Sequence, residues 1–378
     1  METKKQIPDS SIRHTPKDPL VRERFRGCLL GGAVGDALGG RVEFTPRSEI
    51  VERFGEQGIR DYAPAYGRLG AITDDTQMTL FTAEGMLRGW VRSCRKGFGA
   101  CLAATTAHAY LRWLVTQGYL TQSDWPTPGW LITHKELFSH RAPGGTCISA
   151  LRSFRRGNLR AVNESKGCGG VMRVAPVGLF MAGRNEANLE FTFQTAADIA
   201  AITHGHPTGY LAAGTFAVLI EFLARGRTFA EALAAAKDQL RRRDHCEETM
   251  QAVELAEELS RSEPGSPEAI KKLGDGWIAE EALAISVYCA LCAGNFEDGV
   301  VLAVNHDGDS DSTGAIAGNM LGCLHGVSRI PDRWLAPLEL RDLIVEIADD
   351  LATYREWNFG EDWESPEARF YLERYPPN

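Results

Sequence analysis

Gly27-Cys28-Leu29-Leu30-Gly31-Gly32-Ala33-Val34-Gly35-Asp36-Ala37-Leu38-Gly39-Gly40 is apolar but for one carboxylate, and a glycine recurs every fourth residue at 27, 31, 35 and 39. Positions four apart share a helix face. A glycine stripe on that face lets another backbone approach closely, which can offset glycine's cost of roughly 1 kcal/mol per interior helical site. The stretch is therefore read as a tightly packed helix. A phosphate-binding loop is the rival reading, but neither G-x-x-x-x-G-K-[ST] nor a strand-bounded G-x-G-x-x-G is present.

Helical spacing continues outward from there. Leu80, Ala83, Leu87 and Val91 fall on one face of a helix that Thr73 or Asp74 is suited to cap. Further helices are expected over about 100–116, 189–203, 208–225, 229–260, 278–293, 313–325 and 339–356. The stretch 119–146, with Pro126, Pro128, Pro143, Gly144 and Gly145, reads as a long irregular excursion. No run alternates as a strand would, and no internal repeat is visible. The expectation is an all-α protein: a flexible extension over 1–20, then one domain over 21–378.

Composition limits the function classes. Forty-one Lys and Arg against 50 Asp and Glu give a net charge of −9, which does not suggest a nucleic-acid binder. No uninterrupted apolar run approaches the length of a membrane span. Met1–Leu20 is polar and carries Pro8, Pro16 and Pro19, so no secretory leader is expected. Nine scattered cysteines point to a reducing, cytoplasmic setting. The Cys289-x-x-Cys292 pair lies in an apolar helical run with no second pair nearby, and is read as core.

Two short segments carry the chemistry. Ile72-Thr73-Asp74-Asp75-Thr76 and Asn305-His306-Asp307-Gly308-Asp309-Ser310-Asp311-Ser312-Thr313 each gather carboxylates and hydroxyls immediately before a helix. Oxygen donors of this kind suit hard cations such as Mg2+ or Mn2+. Asp, Ser and Thr also cap helices, although one Asp would suffice for a cap. The second segment is not an EF-hand loop: its sixth position is Ser312, not glycine, and its twelfth is Gly318, not glutamate.

Four motifs in order resemble the ADP-ribosylglycohydrolase family, which includes the dinitrogenase-reductase-activating glycohydrolases. They are Gly35-Asp36-Ala37-Leu38-Gly39 with Glu43 behind it, Thr73-Asp74-Asp75-Thr76, Gly167-Cys168-Gly169-Gly170-Val171-Met172-Arg173, and Gly308-Asp309-Ser310-Asp311-Ser312. The resemblance spans roughly residues 22–326 and implies a single all-α domain. It also implies two divalent cations, Mg2+ or Mn2+, on Thr73, Asp74, Asp75, Asp309, Asp311 and Ser312, where many relatives have threonine at the last position. Glu43 matches a glutamate on a mobile loop over the site, and with Asp309 and Asp311 forms the expected catalytic set. Asp36, Gly167, Cys168, Gly169, Gly170 and His204 are the expected substrate contacts, the glycine run against a diphosphate and His204 near an adenine. Cys168 departs from the asparagine of many relatives. His306 is expected behind the ligands, and Arg173 either on a phosphate or in a structural role.

The implied activity is hydrolysis of the glycosidic bond at C1″ of ADP-ribose on a protein side chain, with arginine the expected acceptor. Two other readings stay open. One is an antagonist that binds an ADP-ribosyltransferase toxin through the N-terminal extension; the other is a dinuclear-metal hydrolase of a free ADP-ribosyl metabolite.

Overall fold

The glycine stripe does meet another backbone. In the computed structural model, which describes residues 13–121, 128–155, 157–360 and 363–377, helix α1 (Pro19–Gly39) packs antiparallel against a helix at Ser310–His325. A Cβ on Gly27, Gly31, Gly35 or Gly39 would come within 2.1, 2.3, 1.9 and 2.2 Å of the carbonyl oxygens of Gly322, Gly318, Gly314 and Ser310. The partner helix answers in kind: Cβ atoms on Gly314, Gly318 and Gly322 would strike Gly35, Gly31 and Gly27. No side chain fits between the two backbones. The pairing sets the C-terminus of α1, with Asp36, beside the N-terminus of the helix led by Asp309.

Around this pair the described residues form an all-helical single domain, 65% helical with no sheet. In chain order the remaining helices are α2 (Arg47–Phe54), α3 (Asp74–Lys96), α4 (Leu102–Thr116), α5 (Gly145–Arg152), α6 (Ala175–Ala182), α7 (Leu189–Ala201) and α8 (Pro207–Ala224). There follow α9 (Phe229–Arg241), α10 (Glu247–Ser262), α11 (Pro267–Leu273), α12 (Ala279–Cys292) and α13 (Phe296–Val304). The chain continues with α14 (Ser310–His325), α15 (Asp332–Leu335), α16 (Arg341–Thr353) and α17 (Pro366–Arg374). Helix α8 is long and apolar enough to cross a membrane, but 83% of it is buried inside the molecule, as befits a core helix. All nine cysteines are free thiols, and Cys289 is fully buried in α12.

The structure corrects some expectations. The helix expected over 229–260 is two, because the chain turns at residues 242–246, where His245 takes φ +62°. Helix α1 starts well before Gly27, capped by Asp18, whose side chain accepts from Leu20 N, with Pro19 in its first turn. Part of the extension expected over 1–20 is held in place. Arg13 pairs with Glu346 and Asp349, and His14 Nε2 lies 2.9 Å from Glu367 Oε1. Residues 1–12 of that extension lie outside the described residues, as do 122–127 of the expected irregular stretch. The rest of that stretch is indeed irregular, with two 3-10 turns at Leu131–Thr133 and Lys135–Leu137 before α5.

Candidate active site

The two acidic turns, more than 230 residues apart in sequence, are neighbours in space. At α3, Thr73 is the N-cap and its Oγ1 accepts from Asp75 N, leaving the Asp74 and Asp75 carboxylates in the first turn. At α14, Asp309 is the N-cap; Ser312 N donates to both Asp309 Oδ1 and Asp311 Oδ1. Each cap uses one acceptor, so capping accounts for only part of this acidity. Both helices point their positive ends at the cleft, which favours negative charge there.

The buried carboxylates feel one another strongly. Burial, then the charges of Asp309 and Asp36, raises Asp74 to about 8. Burial and the neighbouring carboxylates hold Asp75 and Asp311 well above the usual carboxylate range. Glu43 is raised to about 8 by burial and then by Asp309, Asp74 and Asp36. The strongest charges acting on these four acids are other carboxylates, not lysines or arginines.

The Glu43 loop is built from α1. Glu43 N donates to Gly39 O, and Phe44 N to Gly308 O at 3.2 Å, in the turn that precedes Asp309. Phe44 has φ +59°, and its ring lies 4.5 Å from that of Trp277, within 3° of parallel. Trp277 O in turn accepts from Cys168 N at 3.0 Å. Through this stack the Glu43 loop is tied to the glycine loop. Tyr66 is also exposed; its hydroxyl feels the charges of Glu43, Asp311, Asp36 and Asp74.

Two residues expected to touch substrate are buried. Asp36 is fully buried; its carboxylate accepts from Thr73 N at 3.0 and 3.1 Å, from Thr76 N at 3.1 Å, and from the Thr76 hydroxyl. It fixes the Thr73–Thr76 turn on α1, because those helix-leading amides need an acceptor that solvent cannot supply there. His204 is 1% exposed beneath the glycine loop, with Nδ1 2.8 Å from Thr203 Oγ1. Burial lowers its pKa to about 3 and keeps it neutral beneath the loop.

The glycine loop forms a 3-10 turn over Cys168–Gly170. Gly167 N donates to Ser165 Oγ, so with Cys168 N two of its amides are already committed. A neighbouring surface widens the candidate cradle: the start of α5, where a Cβ on Gly144 or Gly145 would meet nothing within 4 Å. There Gly144 N donates to Asp74 Oδ2, and Thr146 Oγ1 lies 3.2 Å from Ser165 Oγ. The Cys168 thiol points into the acidic set, 2.9 Å from Asp309 Oδ2. Arg173 is buried behind the loop on Thr203, Ile199 O and Cys147, in a structural role. His306 braces the second turn, with Nε2 2.8 Å from Thr313 Oγ1 and Nδ1 accepting from Gly308 N.

Among the described residues no three His, Cys, Asp or Glu side chains stand as a ready-made metal cage. The donor set still fits a hard cation. Asp75 is 2% exposed and its Oδ2 has no hydrogen-bond partner. Several carboxylates are buried side by side, an arrangement that a bound divalent ion would stabilise. Thr73 and Ser312 add hydroxyl donors beside them.

Comparison with known proteins points to one family. A family model described as ADP-ribosylglycohydrolase matches residues 17–360. The chain is 27% identical to the ADP-ribosyl-[dinitrogen reductase] glycohydrolase of Rhodospirillum rubrum, over 85% of this chain and 92% of that protein. It is 25% identical to the ADP-ribosylarginine hydrolase Tri1 of Pseudomonas putida, over 89% and 79%. A solved structure described as an ADP-ribosylglycohydrolase-related protein complex superposes with a TM-score of 0.64 at 28% identity, covering 89% of this chain and 98% of that one.

Proposed function

Because this chain belongs to the ADP-ribosylglycohydrolase family, whose members hydrolyse ADP-ribose from modified substrates, we propose that it is a metal-dependent enzyme that releases ADP-ribose from arginine side chains of proteins. The observation that carries the reading is the meeting of the Thr73–Asp75 and Asp309–Ser312 turns under Glu43. Thr73, Asp74, Asp75, Asp309, Asp311 and Ser312 would hold two divalent cations, Mg2+ or Mn2+. Bound there, the cations would supply Lewis acidity and offset the clustered negative charge.

The chain's own groups account for the rest. Glu43, set over the acidic turns, is placed to take a proton from the attacking water once bound cations offset the neighbouring negative charge. Asp309 and Asp311 orient the reacting ribose and offset the positive charge that develops at C1″, as carboxylates do in glycoside hydrolysis. The glycine loop and the start of α5 offer backbone amides and the Thr146 and Ser165 hydroxyls to a diphosphate. Asp36 does not react; it keeps the Thr73–Thr76 turn in register.

Arginine is favoured as the acceptor on two grounds. The relatives from Rhodospirillum and Pseudomonas act on an ADP-ribosylated dinitrogen reductase and on ADP-ribosylarginine, as their names state. The cleft mouth is acidic and rimmed by Phe44 and Trp277, each about half exposed, and such a rim suits a planar cation. The test incubates the enzyme with arginine-linked and serine-linked ADP-ribosyl peptides in Mg2+ or Mn2+. Release of ADP-ribose from the arginine-linked peptide is expected; release from the serine-linked peptide alone would refute the acceptor assignment.

A further inference from the structure

Cys168 places a thiol against the acidic set, near a second sulfur, Met172 Sδ, that lies 3.8 Å from Ser312 Oγ. The Cys168 Sγ donates to Asp309 Oδ2 at 2.9 Å and lies 3.6 Å from Ser312 Oγ. One feature of this group is not explained by its internal hydrogen bonds: Asp75 Oδ2 is buried and unpartnered. A carboxylate oxygen left without a partner in a dry site is costly, and a cation is one partner that would relieve that cost. An asparagine at position 168 would offer an amide oxygen; the thiol offers a soft donor that prefers a different class of ion.

We propose that Cys168 is a direct donor to the cation centre, with Asp309 and Asp75, and that it turns the preference of this chain toward thiophilic divalent ions of the Zn2+, Co2+ and Cd2+ kind. The inference rests on the reading that the two acidic turns hold cations. Binding exchanges the S–H bond for a sulfur–metal bond and releases the proton to solvent; no electrons change hands. The contact between Cys168 and Asp309 is already made. The three side chains are not a preformed cage, so the Asp75 carboxylate must turn to join them.

The test titrates Co2+ alone into the full-length protein and follows the near-ultraviolet thiolate-to-Co2+ charge-transfer band, with equilibrium dialysis for stoichiometry. The band should saturate at one Co2+ per chain. It should vanish in Cys168→Ser and Cys168→Asn, with Co2+ and Cd2+ affinity down roughly 10–100-fold, the scale seen when support of a metal site is removed. Mg2+ affinity should hold in both variants. The wild-type band needs no variant to fold, and two replacements guard against the misfolding of one. Co2+ binding without the band, or a band that survives in a folded variant, overturns the role of Cys168 and leaves the cation centre standing. If neither Co2+ nor Mn2+ binds at all, the cation centre itself fails.

Discussion

Replacing Gly35 with alanine is the sharpest test of how the fold makes the site. The added Cβ would lie 1.9 Å from Gly314 O, where 3.0 Å is the practical floor, so α1 and α14 must part by about 1.1 Å at that level. The obstacle is backbone on both sides and cannot rotate away. Overpacking of this kind costs about 1–3 kcal/mol, set against a gain of about 1 kcal/mol in helix propensity. The net loss, up to about 2 kcal/mol, lowers Tm by up to roughly 3 °C in a chain of 378 residues, at about 2.1 cal/mol/K of unfolding entropy per residue. The functional cost should be larger. Gly35 is one residue from Asp36, and Gly314 is five from Asp309, so the separation opens the acidic cleft itself. A misplacement near 1 Å can cost roughly 100-fold in turnover. Differential scanning calorimetry and release of ADP-ribose from an ADP-ribosylated peptide measure the two effects on one preparation. A Gly35→Ala protein with unchanged Tm and unchanged turnover would show that the tight pairing of α1 and α14 does not position the site.

Asp36→Asn places an amide group against the amides of Thr73 and Thr76; a loss of about 1–3 kcal/mol is expected, with kcat falling more than KM rises, and a raised KM with unchanged stability would return Asp36 to the substrate side. Trp277→Ala removes the partner of Phe44, worth about 0.5–1.5 kcal/mol; kcat/KM should fall roughly 2- to 13-fold with little change in Tm, and unchanged kinetics would mean that the stack does not hold Glu43 in place. Glu43 and Asp74 are raised to about 8 from ordinary values of 4.5 and 3.8. Between those limits the folded chain holds protons that the unfolded chain has released, so stability in EDTA should decline as pH rises through that window. Saturating Mn2+ should flatten the decline, and a melting temperature in EDTA that rises from pH 5 to 8 would contradict the buried acidic cluster.

Much of this arrangement is legible in the sequence because it rests on local rules. The four-residue glycine spacing at 27, 31, 35 and 39 has one use in a helix, and the structure puts it to that use. Thr73 and Asp309 are recognisable as caps, and the surplus carboxylates beside them mark a site. What escapes sequence reading depends on partners distant in the chain. Asp36 has the chemistry of a ligand contact, and only the fold shows Thr73 and Thr76 claiming its oxygens. His204 belongs to a suggestive Thr-His-Gly-His run, yet it is covered by the glycine loop. Nothing local to Phe44 or Trp277, 233 residues apart, announces their stacking. The break between α9 and α10 hides in a polar run whose turn is set by the positive φ of His245.

Counting Mn2+ bound to the EDTA-treated, full-length chain by equilibrium dialysis, alongside Asp311→Ala, addresses the cation centre without relying on turnover. Two ions per wild-type chain, with at least one lost in a folded Asp311→Ala protein, is the expected result. A wild-type chain that holds no Mn2+ would contradict the account at its root.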